Sequence, residues 1–224
     1  MNQLLSGEII DKTAEYVKSK QIGEGSGHDW WHTYRVWQNA KKIIENYPQA
    51  DSLIVELSAL LHDIADWKFH DGDELIGART AENFLKTLQV DENTITHVYS
   101  IISKLSFKGA NVVNEIDSLE GEIVQDADRL DAIGAIGVAR AFAYGGKFDR
   151  EFYNPEEKPQ LHDSAQAYRN SNSTTINHFY EKLLLLKDRF NTQEGKKLAL
   201  KRHEFMLQFL DEFFEETSQN PPIL

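Results

Sequence analysis

The residues best suited to chemistry are an adjacent pair, His62 and Asp63, and a histidine thirty positions upstream, His32. The pair ends an apolar helical pattern, and the residues one turn before it, Ser58 and Ala59, are small enough to leave room for a ligand. Imidazole and carboxylate together suit Mn, Fe, Co, Ni or Zn, whereas calcium prefers oxygen ligands. A lone His-Asp pair also occurs at ordinary helix C-termini, so a metal site requires further donors elsewhere in the chain.

Candidate donors occur downstream in an acidic segment that contains Asp126, Asp128 and Asp131. Charged residues among apolar positions are rarely buried unless they are paired or bind a metal. The chain has no cysteine, so a metal would have to be bound through nitrogen and oxygen. Helical periodicity alone does not choose among the three aspartates. The segment continues into Gly134 and Gly137, each of which costs about 1 kcal/mol against Ala inside a helix, and this predicts close helix packing beside the acidic residues.

The elements that would carry these residues are helices, because apolar residues recur at helical spacing along nearly the whole chain. The pattern predicts helices from Ser6 to before Gly23, from about His32 to Tyr47, from near Asp51 through Ile64, from Gly72 to Leu88, from Asp91 to Lys104, from Ser118 through Leu130, from Thr174 to Asn191 and from Thr192 to Thr217. The last of these carries a stripe that is predicted to be core packing: Leu198, Arg202, Phe205, Phe209 and Phe213. We therefore predict one all-α domain over residues 1–224, with a core at about 28–135 and the C-terminal helices 174–217 packed on it.

Residues 145–173 interrupt the helical pattern. They contain two adjacent glycines, two prolines and many charges, so they predict a long loop. Loops of this length are uncommon in compact domains and often act as lids or binding segments, and a disordered excursion is the alternative. A short hairpin near 111–116 is the one strand pattern that the sequence predicts.

The bulk composition limits the classes of protein that fit. The chain is 41% hydrophobic and 27% charged, which is typical of a globular protein. It has no apolar run long enough to span a membrane, and its N-terminus lacks the pattern of a signal peptide, so we expect a cytoplasmic protein with no membrane partner. The net charge of −12 argues against a nucleic acid polymer as the partner. The sequence leaves open whether the protein forms a homodimer.

His32, His62-Asp63 and Asp128 together resemble the H…HD…D signature of the HD superfamily of metal-dependent phosphohydrolases. Three longer strings are more similar to a bacterial subfamily, the HD-domain nucleoside-triphosphate pyrophosphohydrolases: residues 28–32, residues 61–68 and residues 125–135. The resemblance implies an all-α HD-domain helical bundle in which separate helices bring these four residues to one divalent metal ion. It also selects Asp128 over its two acidic neighbours as the fourth ligand.

The resemblance further implies a reaction and a cofactor. The expected reaction is hydrolysis of a nucleoside or deoxynucleoside triphosphate to the monophosphate and pyrophosphate. Mn is the expected metal, with Mg, Fe, Co, Ni or Zn as alternatives. The partner is thus a nucleotide or another phosphorylated small molecule, and alarmones, nucleoside monophosphates and cyclic nucleotides are alternative substrates. A non-catalytic HD module that senses a ligand is a further alternative, although such modules usually lose a ligand residue and this chain keeps all four.

Three further residues are candidates for proton transfer. Asp66 follows His62 by four positions. In related alarmone hydrolases of the HD superfamily an acidic residue here assists the attacking water or the leaving group, so the resemblance implies this role for Asp66 if the helix continues; otherwise it is a surface carboxylate. Asp131 lies one turn beyond Asp128 on the same face, so we expect it to orient a ligand or a neighbouring base. His97 is interpreted either as a substrate-side proton donor or as a core histidine.

Three basic residues are candidates for contacts to phosphate oxygens. Lys68 and Arg129 lie in the matching strings, where lysine offers a point charge and arginine a planar fork. Arg35 lies one turn after the predicted metal-binding histidine, and it either contacts phosphate or pairs with Asp29 or Glu45. The sequence has no glycine-rich phosphate loop of the common types, so phosphate binding would depend on side chains such as these.

Overall fold

The computed structural model describes residues 5–21, 29–65, 73–105, 115–161 and 173–222, and within these ranges the regular elements are helices with no strand. They are α1 (Ser6–Gln21), α2 (Trp30–Ile44), α3 (Ser52–Leu61), α4 (Ile76–Thr87), α5 (Glu92–Lys104), α6 (Leu119–Asp131), α7 (Gly134–Lys147), α8 (Thr175–Glu181), a 3₁₀ helix (Leu183–Arg189) and α9 (Gln193–Thr217). The predicted all-α class is confirmed. The hairpin predicted near 111–116 lies largely outside the described residues. No helix in the described ranges is long and apolar enough to cross a membrane.

Several helices begin where the sequence places a capping side chain. The carboxylate of Asp51 accepts hydrogen bonds from the backbone N–H groups of Leu53 and Ile54. Thr192 caps α9 in the same way by accepting from the N–H of Gly195. These contacts satisfy amides that the first helical turn leaves without a partner, and they explain why short polar residues fix these boundaries.

Other boundaries differ from the prediction. The helix predicted from Gly72 begins at Ile76, and the one predicted from Thr174 to Asn191 is α8 followed by a 3₁₀ helix. The division occurs because Lys182 has φ −143° and ψ −59°, which lie outside the α region. The loop predicted to begin at residue 145 begins later, since α7 continues through both glycines to Lys147. Residues 162–172 of that predicted loop lie outside the described residues.

The chain divides into two compact units, one formed by residues 1–106 and 115–128 and the other by residues 107–114 and 129–224. The proposed domain limits, with a core at 28–135 and C-terminal helices at 174–217, stay a prediction.

The first unit is organised around α3. Seven of its ten residues are buried, including Val55, Leu57, Leu60 and Leu61, which have no exposed surface. A helix with so many buried apolar residues has to lie largely inside the protein. His62 and Asp63 directly follow this buried helix. The end of α3 therefore fixes where both residues lie in the first unit.

The second unit contains an aromatic cluster formed by Phe142, Phe179 and Phe209. Their ring centroids are 5.7 to 6.3 Å apart. Phe209 belongs to the stripe that was predicted to be core packing on α9. Phe205 was predicted to be in the same stripe, but it is 44% exposed, so that part of the prediction is wrong. The buried residues of α9 include His203, Met206, Leu210 and Phe214, so the buried face is offset by about one residue from the predicted stripe, and Phe205 lies at its edge.

Candidate metal centre

His32 is placed by the start of α2. The carboxylate of Asp29 accepts a hydrogen bond from the His32 backbone N–H, with 2.9 Å between Oδ1 and N. This N-cap satisfies one of the free amides of the first turn. The His32 side chain is 1% exposed, so its imidazole is directed into the interior of the first unit.

His62 and Asp63 are placed by the end of α3. His62 follows the last helical residue, and its Nδ1 lies 2.8 Å from the carbonyl oxygen of Ala59. Because a carbonyl oxygen only accepts, Nδ1 is the donor, and Nε2 keeps a lone pair for a metal when the ring is neutral. The end of the helix thus determines which ring nitrogen is available.

The four predicted ligands meet at one point of the first unit. Asp63 Oδ2 lies 3.3 Å from His32 Nε2 and 3.4 Å from His62 Nε2, and the two imidazole nitrogens are 3.3 Å apart. Asp128 Oδ1, on α6, lies 3.6 Å from His32 Nε2 and 3.9 Å from His62 Nε2. We call these four residues the donor cluster.

The separations within the donor cluster fit a single cation. Two donors at about 2.1 Å from one ion are about 3.0 Å apart in octahedral coordination and about 3.4 Å apart in tetrahedral coordination. The donor atoms of His32, His62 and Asp63 all lie within 4.8 Å of one another, so these three could hold a metal ion. Two imidazoles with carboxylates form a ligand set for borderline to hard divalent metals.

The donor cluster also has an excess of negative charge. Burial lowers the pKa of the His62 imidazole, but the carboxylates of Asp63 and Asp128 outweigh burial and raise it to about 9. Carboxylates that attract a proton to this point attract a divalent cation for the same electrostatic reason.

Asp131, predicted to assist catalysis, forms a buried ion pair in the second unit. Its side chain is 1% exposed, and its Oδ2 lies 2.9 Å from Nη1 of Arg140. The carboxylate also interacts electrostatically with Arg202, whose guanidinium donates to the carbonyl of Leu130. These contacts give Asp131 a structural task at the end of α6, and its catalytic role stays a prediction.

The predicted phosphate-binding residues have different surroundings. Arg35 is half-buried on α2. Arg129 donates through Nη1 to the main-chain carbonyl of Arg189. Lys68 lies outside the described residues. The structure does not test whether any of the three binds phosphate, so these roles stay predictions.

Asp66 also lies outside the described residues, but the helix before it is described. Its expected place beside the metal required the helix to continue past His62. The helix α3 ends at Leu61, so that condition is not met. The catalytic role of Asp66 stays a prediction without that geometric support.

His97 is not brought to the donor cluster. Its Nε2 lies 3.7 Å from Oε2 of Glu120, and the other carboxylate oxygen of Glu120 accepts from the backbone N–H of Asp51. Glu120 is near the start of α6, about 12 Å along the helix from Asp128. The His97 side chain is 32% exposed, so it is not a core histidine, and its substrate-side role stays a prediction.

Two features of the site were not predicted. Asp29 was considered only as a partner for Arg35, although an aspartate three residues before His32 is a recognisable N-cap signal. Gln21 contacts both Thr33 and the backbone of Asp63. A glutamine near the end of a surface helix has no distinctive sequence signal, so only the folded structure shows this bridge.

Comparisons with known proteins agree with the helical fold and the donor cluster described above. The HD domain family matches residues 30–133, which include the whole donor cluster. The chain is 41% identical over 211 residues to the uncharacterized protein YpgQ of Bacillus subtilis, covering 94% of this chain and 93% of that protein. The crystal structure of an HD-superfamily hydrolase from Bacillus thuringiensis is 39% identical with a TM-score of 0.76, covering 96% of this chain and 100% of that one. The crystal structure of YpgQ in complex with ADP is 34% identical with a TM-score of 0.75, covering 94% and 96%.

The helical fold and the donor cluster therefore define a metal-dependent phosphohydrolase of the HD superfamily. The chain belongs to the HD domain family.

Proposed function

We propose that this protein hydrolyses nucleoside or deoxynucleoside triphosphates to the monophosphate and pyrophosphate, with one divalent metal ion, Mn first among the candidates. The observation that carries the proposal is the convergence of two imidazole nitrogens and two carboxylate oxygens, each carboxylate oxygen lying within 3.9 Å of both nitrogens. A divalent cation bound by such a set acts as a Lewis acid on a phosphoryl oxygen and makes water a better nucleophile at neutral pH.

The two kinds of ligand in the donor cluster have different exposures. The imidazoles of His32 and His62 are 1% and 4% exposed, whereas the carboxylates of Asp63 and Asp128 are 29% and 40% exposed. The histidines thus form the closed side of the site and fix its geometry. Water and substrate would approach from the carboxylate side, where the two aspartates also balance the charge of a dication.

The substrate class has separate support. A protein related to this chain along nearly its whole length has been crystallised in complex with ADP, a nucleotide with a phosphoanhydride bond. The strings at residues 61–68 and 125–135, which are similar to nucleoside-triphosphate pyrophosphohydrolases, contain three of the four cluster residues. A polyanionic substrate would meet a chain of net charge −12, so the cation and nearby basic residues such as Arg35 have to provide the local attraction.

A substrate panel tests the proposal. Metal-free protein is given Mn²⁺ and, in separate reactions, ribonucleoside and deoxynucleoside triphosphates, nucleoside monophosphates, an alarmone and a cyclic nucleotide. We expect the triphosphates to be consumed. A phosphate-specific dye should report product only after inorganic pyrophosphatase is added, because the primary product is pyrophosphate.

The other outcomes of the panel contradict the proposal in different ways. Orthophosphate released from triphosphates without pyrophosphatase would place the cleavage at the terminal phosphate. Turnover confined to another class would identify a different HD phosphohydrolase. Binding of Mn²⁺ without turnover of any member would indicate a ligand-sensing module.

A further inference from the structure

Gln21, the last residue of α1, joins two of the three segments that carry the ligands of the donor cluster. Its Nε2 donates to the main-chain carbonyl of Asp63 at 3.2 Å, and its Oε1 accepts from the hydroxyl of Thr33 at 3.0 Å. Thr33 directly follows His32 on α2. The side-chain amide of Gln21 therefore connects Thr33, the neighbour of His32, with the backbone of Asp63.

The orientation of this amide is determined by its partners. The Asp63 carbonyl only accepts, so the NH₂ group of Gln21 has to face it. The amide oxygen then faces Thr33, whose hydroxyl donates. Gln21 is 5% exposed and Thr33 is not exposed at all, so water does not readily replace either bond. Loss of the amide would leave a buried hydroxyl and a carbonyl without these partners, which is costly.

The backbone of Asp63 lies beyond the regular helix, where its carbonyl accepts the hydrogen bond from Gln21. The last helical residue is Leu61, and the Ile64 N–H bonds to the Leu61 carbonyl in a tighter turn. The Gln21 amide thus helps to fix the backbone from which the Asp63 carboxylate extends.

We propose that Gln21 is a positioning residue that sets the separation between His32 and Asp63 and thereby the affinity of the donor cluster for a divalent cation. It touches no donor atom of the cluster and acts through the backbone of Asp63 and through Thr33. The inference rests on the proposed function, since it requires that the cluster binds a cation. Residues that orient metal ligands in this way typically contribute about ten-fold or more to affinity.

The test is the dissociation constant for Mn²⁺, measured by titration calorimetry on metal-free protein. Gln21→Met keeps the length of the side chain and removes both hydrogen bonds, and we expect it to weaken Mn²⁺ binding by about ten-fold or more. Thr33→Val removes one of the bonds and should weaken binding by a smaller factor, whereas Thr33→Ser keeps the hydroxyl and should restore it. These three variants leave every donor atom of the cluster in place.

Thr13→Val is the matched control. Thr13 is a buried residue of the same helix, and its hydroxyl donates to the Ile9 carbonyl at 2.7 Å, away from the cluster. Removal of that bond should lower the stability of the metal-free protein without changing the Mn²⁺ constant. If Gln21 had only a structural role, Gln21→Met would behave like this control.

The outcomes separate this inference from the proposed function. Wild-type protein that binds no Mn²⁺ would contradict the proposed function. Wild-type binding with an unchanged constant in Gln21→Met would overturn the role of Gln21 alone. If Gln21→Met does not fold, Thr33→Val decides, and an unchanged Mn²⁺ constant in that variant overturns the proposal.

Discussion

The ligands of the donor cluster are constrained by different contacts. The backbone of His32 is held by the Asp29 N-cap, and the His62 ring is oriented by the Ala59 carbonyl. The carboxylate of Asp128 is 40% exposed and has the longest distances to the imidazoles. The cluster thus combines two fixed nitrogen ligands with a more accessible carboxylate side, which suits a site that has to admit a substrate.

His178, a histidine of the second unit, is expected to make the free energy of unfolding decrease in acid. Burial, Lys182 and Arg150 lower the pKa of His178 from 6.5 to about 3. At pH values between about 3 and 6.5, His178 takes up a proton in the unfolded chain but not in the folded chain. The free energy of unfolding is therefore undiminished above pH 6.5 and decreases as the pH falls below it. At about pH 5 the loss is at most about 2 kcal/mol.

We expect His178→Gln to reduce the decrease in unfolding free energy between about pH 7 and about pH 5, because glutamine does not titrate. The measurement is urea unfolding of the metal-free wild type and variant at several pH values in that interval. A variant that is less stable overall but has a weaker pH dependence would agree with this account. An unchanged pH dependence would show that His178 is not the group responsible.

The start of α7 contains two glycines, Gly134 and Gly137, that have little or no room for a side chain. Gly134 has φ +76°, and a Cβ at this position would lie 3.0 Å from the Arg202 side chain. Gly137, one turn later, has no room for a Cβ, which would lie 2.3 Å from the Ala132 carbonyl oxygen. The sequence predicted close helix packing beside the acidic residues at these glycines. The structure gives other constraints, a positive φ beside the Arg202 side chain at Gly134 and a local backbone contact at Gly137.

We expect Gly134→Ala to lower the unfolding free energy by about 1–2 kcal/mol, because an L-residue is strained at positive φ. Gly146→Ala in the same helix is the control, since a Cβ there meets nothing within 4 Å. That substitution should leave stability unchanged or raise it by up to about 1 kcal/mol. Both are measured by urea unfolding, and equal stability of the two variants would contradict the strain at Gly134.

The helical elements could largely be predicted from the sequence, because their apolar spacing and capping residues are local signals. Asp51 and Thr192 begin helices as predicted. The break at Lys182 could not be predicted, since the apolar run of four leucines after it is equally compatible with a continuous helix. The end of α6 at Asp131 and the start of α7 at Gly134 were visible in the sequence only as a group of small residues.

For the whole molecule, the sequence predicted the family and the ligand types better than the contacts that hold them. The resemblance of His32, His62-Asp63 and Asp128 to the HD signature implied one cluster, and the structure brings their donor atoms together. The Gln21 bridge joins residues that are far apart in the sequence. The ion pair of Asp131 with Arg140 depends on the direction of both side chains. Such contacts have no local signal.

The central claim is that the donor cluster binds one divalent cation that hydrolysis requires, and metal content measures it most directly. Wild type, Asp63→Asn and Asp117→Asn are loaded with Mn²⁺, desalted, and analysed for metal per chain and for turnover of a triphosphate. Asp117 is the control because it is 71% exposed and pairs with Lys104, outside the cluster.

We predict about one Mn²⁺ per chain, and turnover, in the wild type and in Asp117→Asn. We predict no bound Mn²⁺ and no turnover in Asp63→Asn, because a neutral amide replaces a charged ligand. Equal metal content and turnover in all three proteins would contradict the account.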